Sequence, residues 1–434
     1  MIRTSRHTIK YLNSVKYHNL LVFLSDYATA IQQYIDYLWN NKIEVFVEGR
    51  IDEKTGIKKE DKTYIFDIKN KQYNLLSYLS TKNIDITTEL SARILKCAMT
   101  QAIGMVKSVI TKFRKKEYVV KTYKNNKLQK WLDTHNPTKP IVDINKFNAE
   151  LNSINCNFLY SENIESIFDG YIILSSLYKE SSNKVNNLIN DDGDITNQVI
   201  IPIKLTSRSN YWSKKGAIMT SFLISKRFIN LRWKCESSKN TSKVIVGADA
   251  GQTTTLTLSN GSITPKCPHG HDLKSINKKM TRKQKGSKAF RKCQLHRINY
   301  VNWSIKQLNL SQYKEIRLES NKHIKYKNRK SKSLKHWSWA AINKQVVSIG
   351  EEYDVHINHQ SSPYKSQRCN TCGWVHKNNR KGKIFSCSRC SHTDDADINS
   401  AKNNTVNLPV ISKIFRNTKP NIKGFYWLIT GIVQ

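Results

Sequence analysis

Residues 366–403 read SQRCNTCGWVHKNNRKGKIFSCSRCSHTDDADINSAKN, and the architecture of the chain hinges on them. Two CxxC pairs, Cys369/Cys372 and Cys387/Cys390, are separated by the 14 residues Gly373 to Ser386. That spacing predicts a small β-turn knuckle in which four thiolates close around one tetrahedral Zn2+, a folding site with no open position. The acidic run Asp394-Asp395-Ala396-Asp397 follows almost at once. A structural metal beside a carboxylate cluster points to nucleic-acid chemistry, provided the rest of the chain is basic.

It is strongly basic. The 434 residues carry 72 Lys+Arg against 33 Asp+Glu, a formal charge of +39 and a pI near 9.8. Such an excess opposes compactness unless a polyanion neutralises it, and a phosphate backbone is the expected polyanion. Between Lys266 and Lys335 the imbalance is steepest, with 21 basic residues against Asp272, Glu315 and Glu319. Aromatics (Phe290, Tyr300, Trp303, Tyr326, Trp337, Trp339) are interleaved in and just beyond it. Trp303, Trp337 and Trp339 lie in amphipathic stretches, so packing is expected of them before base stacking.

Length allows two to four domains. Cys97, Cys156, Cys235, Cys267 and Cys293 have no framework spacing, which argues against a disulfide scaffold. Met1-Ile2-Arg3-Thr4 leads into no apolar core of a leader, and the apolar stretch Gly424–Val433 is too short to span a bilayer. A soluble intracellular protein with no membrane partner is expected.

Residues 1–13 read as a lone strand. Leu24, Ala28, Ile31, Ile35 and Leu38 then follow helical spacing, and a second long helix is expected over about 88–117. Residues 14–125 therefore read as a helical unit, and the run Lys112–Lys116 as a solvated face or a nucleic-acid contact. Short β-prone runs from 137 to 236, such as Val199-Ile200-Ile201-Pro202-Ile203, predict a small barrel or sandwich. The stretch Asn186–Asn197 predicts a loop. From Lys243 the pattern changes again: strand Val244-Ile245-Val246 ends at Gly247-Ala248-Asp249, and Asn260-Gly261 signals a hairpin. A basic helical stretch over 272–307, strand Glu315–Leu318 ending at Glu319, helix over 334–352, strand Val355–Ile357 and helix over 397–403 complete the chain.

Asp249, Glu319 and Asp397 thus stand at the ends of separate elements. Three such carboxylates in one cleft can hold two divalent ions about 3.5–4 Å apart and cut a phosphodiester in line. Cys267, His269, His271, Cys293 and His296 are too irregularly spaced to predict a second metal site.

Gly247-Ala248-Asp249-Ala250-Gly251, Lys285-Gly286-Ser287-Lys288, Leu318-Glu319, the first CxxC pair in its Ser366–Gly373 setting and Asp395–Asn403 recur together in one family. On these motifs the chain resembles the transposon-encoded TnpB nucleases and the related miniature type V CRISPR effectors, specifically over residues 243–404. Ser400 stands where that family commonly has alanine. The resemblance implies an α/β multidomain protein: an RNase H-like (RuvC) nuclease domain with a zinc-ribbon insertion, preceded by a β-barrel wedge domain interrupted by a helical recognition domain. It implies a first wedge strand at 1–13, the helical domain at 14–136, the wedge barrel at 137–242 and RuvC motifs one and two at 243–366. The ribbon would occupy 367–393, and the third motif and tail 394–434. Asp249, Glu319 and Asp397 would bind two Mg2+ and catalyse; Cys369, Cys372, Cys387 and Cys390 would bind Zn2+.

The implied activity is RNA-guided endonuclease cleavage of double- and single-stranded DNA, with a guide RNA in basic grooves and a short flanking motif read by the N-terminal half. Monomers or homodimers on one guide in a prokaryotic cytosol or nucleoid fit that picture. A guide-dependent repressor without cleavage and a guide-free resolvase or transposase are the rival readings.

Overall fold

In the computed structural model the described residues are 1–40, 43–47, 49, 51, 58, 60–66, 79, 84, 86–152, 154–162, 165–182, 197–320, 338–361 and 363–433. Residues 186–196 of the expected Asn/Asp-rich loop, together with Tyr326, Trp337 and the expected helix start at 334–337, lie outside them. The chain divides into two compact units, Met1–Glu236 and Ser237–Gln434.

The first unit runs β1 (Ile2–Thr8), α1 (Ser14–Asn40), β2 (Ile43–Val47), β3 (Lys62–Phe66), α2 (Ala92–Tyr123), α3 (Asn126–Thr134), β4 (Ala149–Leu151) and β5 (Cys156–Tyr160). It continues through β6 (Gly170–Ser175), β7 (Gln198–Ile203), α4 (Ser207–Ser213), β8 (Gly216–Ile218), β9 (Phe222–Ile224) and β10 (Phe228–Cys235). The N-terminal strand is not isolated in space: β1 pairs antiparallel with β10 from Ile2↔Lys234 to Thr8↔Phe228. That sheet has the order β1-β10-β9-β4 with β8 also on β10, and β5-β6-β7 form a second antiparallel sheet. Alternation places Ile172, Leu174, Val199, Ile201 and Ile203 in one core with the α1 residues Leu24, Ala28, Ile31, Ile35 and Leu38.

The stretch expected to be wholly helical also holds the β2–β3 hairpin, and its second helix is Ala92–Tyr123, shifted toward the C-terminus. Ser91, extended at φ −63° and ψ 151°, is its N-cap, and Lys124 in the left-handed region ends it. Ala92–Thr122 is long and apolar enough to cross a membrane by length and composition alone. Ile94, Ala98, Ala102 and Val106 nevertheless bury against the α1 core. Phe113 within the basic run is buried too, while Lys116 Nζ lies 3.4 Å from the Trp131 ring centroid.

The second unit opens with β11 (Ile245–Asp249), β12 (Thr257–Leu258), α5 (Leu273–Thr281), α6 (Lys288–Lys306), β13 (Glu315–Glu319), α7 (Trp339–Tyr353) and β14 (His356–Gln360). It closes with β15 (Trp374–Val375), β16 (Arg380–Lys381), β17 (Ile384–Ser386), β18 (Thr393–Asp395), α8 (Ala396–Thr405), α9 (Lys413–Asn417), β19 (Phe425–Leu428) and β20 (Gly431–Val433). Its main sheet has the order β12-β11-β13-β14, with β12 antiparallel and the other three parallel. The basic stretch is two helices, not one. It breaks where Gly286 takes φ +89° and Ser287 caps α6 by accepting from the Phe290 N–H at 3.1 Å. Its aromatics pack: Phe290 sits with Met280 and Cys293, and Tyr300 is buried in the sheet's core with Trp303 and Trp339 against it.

The segment 424–433 is part of the cysteine region. β15, β19 and β20 form one sheet, and Arg368 donates to the Trp427 carbonyl at 2.7 Å.

Candidate nuclease and metal site

In the register of the parallel strands, Ala248 faces Leu318 and Glu319 faces Gln360. Asp249 and Glu319 are therefore successive neighbours at the C-terminal edge of β11 and β13, where strands lie about 4.8 Å apart. Helix α8 crosses β11 at backbone distance. A Cβ on Gly247 would stand 2.0 Å from the Ala401 carbonyl oxygen, so only glycine permits this approach. The buried face of α8 is polar, with Asn399, Ser400, Asn403 and Asn404 at helical spacing. Asn404 Nδ2 donates to the Ala248 carbonyl at 2.9 Å, and Asn399 and Asn403 donate to the Arg368 carbonyl at 2.9 and 2.7 Å. These amides bind the helix to the strand on one side and the cysteine turn on the other, satisfying backbone groups that burial would orphan.

The N-terminus of α8 separates two acids that look alike in sequence. Asp395 is the N-cap, accepting from the Asp397 and Ile398 N–H groups at 2.8 and 3.1 Å. Asp397, two residues on, is buried, and its charge acts on Asp249. Ser400 Oγ donates to Asp249 Oδ1 at 3.1 Å. Burial, and next the Asp397 charge, push the Asp249 carboxyl up to about 6; Arg380, the Ser400 hydrogen bond and Lys383 act in the opposite direction.

Asp397 is bound by two cations. Arg380 reaches Oδ1 at 2.7 Å, and Lys383 pairs with Oδ2. Both come from the β16–β17 hairpin, whose Lys383 carbonyl accepts from the Ala396 N–H at 2.8 Å. Sequence reasoning missed this pair, although the charge-dense turn Arg380-Lys381-Gly382-Lys383 inside the ribbon was visible.

Glu319 stands on the same edge, and its carbonyl accepts from Trp339 Nε1 at 3.3 Å. Lys365 is 2% exposed, donating to Asn404 Oδ1 at 3.0 Å and to Oε1 of Gln360, the residue paired in register with Glu319. Burial lowers the lysine to about 8, and the Glu319 charge acts against that fall. Asp249 and Glu319 end neighbouring strands and Asp397 lies in the first turn of α8, and the three do not draw together as the thiols do. Among the described residues, Cys369, Cys372, Cys387 and Cys390 alone form a His/Cys/Asp/Glu group whose ligand atoms all lie within 4.8 Å. The Cys267/His271/His296 neighbourhood forms no such group; His271 and His296 meet edge to face at 5.3 Å.

The two cysteine turns are alike. Cys369 N–H bonds to the Trp374 carbonyl at 2.9 Å, with Gly373 at φ +80°; Cys387 N–H bonds to the His392 carbonyl at 2.8 Å, with Ser391 at φ +59°. Sγ of Cys369 lies 3.7 Å from Cys390 and that of Cys372 lies 3.6 Å from Cys387. Tetrahedral zinc with bonds of ~2.3 Å needs sulfurs about 3.8 Å apart, so the donor set fits. Burial raises the Cys369 and Cys372 thiols, whereas the His392 N–H holds Cys390 down at about 7. The carboxylates fit a hard divalent cation by their chemistry, oxygen donors on a partly buried edge. Asp394 is not among them: it pairs with Lys402 at 2.8 Å and braces the knuckle.

Residues 339–404 match the family described as Cas12f1-like, TNB domain. The CRISPR-associated endodeoxyribonuclease Cas12f1 of Syntrophomonas palmitatica is 32% identical over 63 residues, which are 14% of this chain and 13% of that relative's length. Among solved structures, a Cas12f1–sgRNA–target DNA complex matches with TM-score 0.45 and 13% identity, over 94% of this chain and 99% of that one. CasPhi-2 (Cas12j) bound to crRNA and phosphorothioate-DNA matches with TM-score 0.44 and 8% identity, over 93% and 91%.

Proposed function

We propose that this chain, a member of the miniature type V effector family, is an RNA-guided DNA endonuclease. The observation that carries the reading is the packing of α8 on β11, which brings the helix bearing Asp397, through the Ser400 hydrogen bond, onto Asp249, 148 positions earlier in sequence, with Glu319 on the adjacent strand end. A mixed sheet of order β12-β11-β13-β14 with acids on its parallel edge supports an RNase H-like, RuvC-type domain. Divalent ions, Mg2+ in this reading, would activate water and neutralise charge at the scissile phosphodiester when bound by Asp249, Glu319 and Asp397. Arg380 and Lys383, 28% and 48% exposed in their side chains, would meet the phosphates of DNA laid over the acids. Zn2+ on Cys369, Cys372, Cys387 and Cys390 would fix the hairpin that carries both cations.

The same proposal assigns the first unit to guide and duplex binding. The β1–β10 sheet would be the wedge, and α1–α3 the helical recognition element. The guide would select DNA by base pairing, and the protein would act in a prokaryotic cytosol.

The test is purification with co-expressed RNA, sequencing of any retained transcript, and cleavage of guide-matched DNA in Mg2+. Discrete bound RNA with cleavage abolished in Asp249→Ala and Asp397→Ala supports the proposal. Full cleavage by Asp397→Ala overturns the active site, guide-independent cutting favours the resolvase reading, and target occupancy without cutting favours the repressor.

A further inference from the structure

We propose that Arg380 and Lys383 form an exchangeable latch on Asp397, which frees that carboxylate for divalent ions when nucleic-acid phosphates take up the two cations. Ion loading and DNA binding then reinforce one another. This rests on the nuclease reading of the same acids and concerns how their centre is regulated. Both carboxylate oxygens are engaged by direct contact: Arg380 Nη2 bonds to Oδ1 at 2.7 Å, and Lys383 Nζ pairs with Oδ2. Lys383 Nζ also reaches Thr254 Oγ1 at 3.4 Å, on the loop that follows Asp249. The two cations therefore tie the ribbon hairpin to the start of α8 and to the loop after β11.

The turn that carries them is fixed at its base and open at its tip. Phe385, paired with Arg380 across β16 and β17, is wholly buried with Cys369, Cys387 and Ala396. The Ala396 N–H donates to the Lys383 carbonyl at 2.8 Å, and β17 pairs with β18 from Ile384↔Asp395 to Ser386↔Thr393. Gly382 at the tip takes φ +62° and has nothing within 4 Å of an added carbon. The backbone is thus held, whereas the Arg380 and Lys383 side chains, 28% and 48% exposed, have room to turn outward.

Asp397 has no such freedom, because its side chain is 6% exposed. A dication binding there meets two positive charges already at contact range, and like charges that close oppose one another strongly in a partly buried site. Loading therefore requires the cations to leave, and they leave more readily when another anion receives them. The phosphates of a bound strand are such anions, and Arg and Lys make charge-assisted bonds to them. The coupling is reciprocal: if DNA tightens ion binding, ions tighten DNA binding by the same factor. Replacing both cations by neutral side chains should make ion uptake tighter in the absence of DNA, the reverse of what damage to the fold would do.

The experiment is Mn2+ titration of the purified full chain near pH 8, with free Mn2+ read by electron paramagnetic resonance. It is run with and without a short oligothymidylate whose own Mn2+ uptake is subtracted. Wild type is compared with the double variant Arg380→Gln/Lys383→Gln, with Asp397→Ala, and with Lys381→Gln, a charge change in the same turn outside the Asp397 pair. Zinc content and thermal melting report folding, and Lys383→Gln alone carries the test if the double variant does not fold. Without oligonucleotide, half-saturating Mn2+ should be about fivefold or more lower in the double variant, about twofold lower in Lys383→Gln and near wild type in Lys381→Gln. The oligonucleotide should lower it in wild type by a clearly larger factor than in the double variant, and Asp397→Ala should lose most uptake throughout. An unchanged or higher half-saturation in a folded neutral variant overturns the proposal, as does an oligonucleotide effect of equal size in both proteins or a wild type with no Asp397-dependent uptake. Cleavage of guide-matched DNA keeps the two readings apart. A wild type that shows this Mn2+ behaviour but never cuts overturns the nuclease reading alone, and one that cuts while the double substitution leaves Mn2+ uptake untouched overturns the latch alone.

Discussion

Ser400 donates a hydrogen bond to Asp249 across 3.1 Å, joining the third turn-defining segment of the acid centre to the first. The hydroxyl stands where the resembling family commonly carries a methyl, and it stabilises the ionised carboxylate. Ser400→Ala should therefore raise the Asp249 pKa above its value of about 6. A neutral-to-charged hydrogen bond of ~1.5–3 kcal/mol in full, partly recovered by water, predicts about a tenfold loss of cleavage near pH 6. The loss should shrink as pH rises, because the carboxylate ionises in either protein once pH exceeds both values. A pH–rate profile of single-turnover cleavage checks this, and an equal loss at every pH would contradict it.

Asp249→Asn should stabilise the metal-free protein. The folded pKa of about 6 lies above the ordinary carboxyl value of 3.8, so the folded state resists ionisation. The contribution of Asp249 to stability is then fully present below pH ~4, is lost as pH rises between about 4 and 6, and is constant above. The asparagine variant lacks this loss and should exceed wild type at pH 8 by up to about 3 kcal/mol, with little difference at pH 4. Urea unfolding at the two pH values, in chelator that spares zinc, measures it. A wild type that gains on the variant as pH rises would reverse the assigned sign.

How much of this centre could be read from residue order depended on the range of the signal. The cysteines announce themselves because a CxxC turn is local chemistry, and both turns close through hydrogen bonds within five residues. Asp249 and Glu319 are legible as acids ending short apolar strands. Asp395 and Asp397 are not distinguishable that way. One is a helix cap and the other is buried against Arg380 and Lys383, and which is which follows from where α8 begins. Lys365, Arg380 and Lys383 carry no local mark, since a long cationic side chain reads as solvated until its acid is known to lie nearby. The pairing of β19 with β15 links residues about fifty positions apart, so 425–428 read only as an apolar run too short for a bilayer. The helix break at 282–287 was likewise hidden by the uniform basic composition on either side.

Gly247→Ala should do damage out of proportion to one methyl group. Its Cβ would meet the Ala401 carbonyl oxygen at 2.0 Å and the Thr405 nitrogen at 3.0 Å, both backbone atoms of α8 that cannot swing aside. Relief requires α8 to move off β11, carrying Asp397 and Ser400 away from Asp249. Overpacking of this kind costs about 1–3 kcal/mol or more. A lowered melting temperature is expected together with loss of cleavage, while retained RNA is unaffected. Gly261→Ala, at an open turn with φ +89° and nothing within 4 Å of the added carbon, should cost stability through backbone strain but spare cleavage.

Zinc removal should release the C-terminal hairpin as well as the knuckle. Strand β15 begins two residues after Cys372, and its partner β19 supplies Phe425 and Trp427 to a small core with Val375 and Ile411. Arg368, directly before Cys369, is clasped by the Trp427 carbonyl, and the Trp427 N–H donates back to the Gly373 carbonyl at 3.0 Å. The hairpin therefore rests on backbone that the metal holds in place. A four-residue strand with so small a core does not persist without that support, because short isolated hairpins are marginal in water. Cys372→Ser, or stripping with a strong chelator, should raise amide exchange across 425–433 along with 369–392, while β11 and β13 stay protected. The Asp397 cations should loosen in the same step, since Arg380 and Lys383 lie on the hairpin between the two cysteine turns. Exchange mass spectrometry showing a knuckle that opens while 425–433 remains protected would mean the terminal strands are held by the main sheet's unit independently of the thiols.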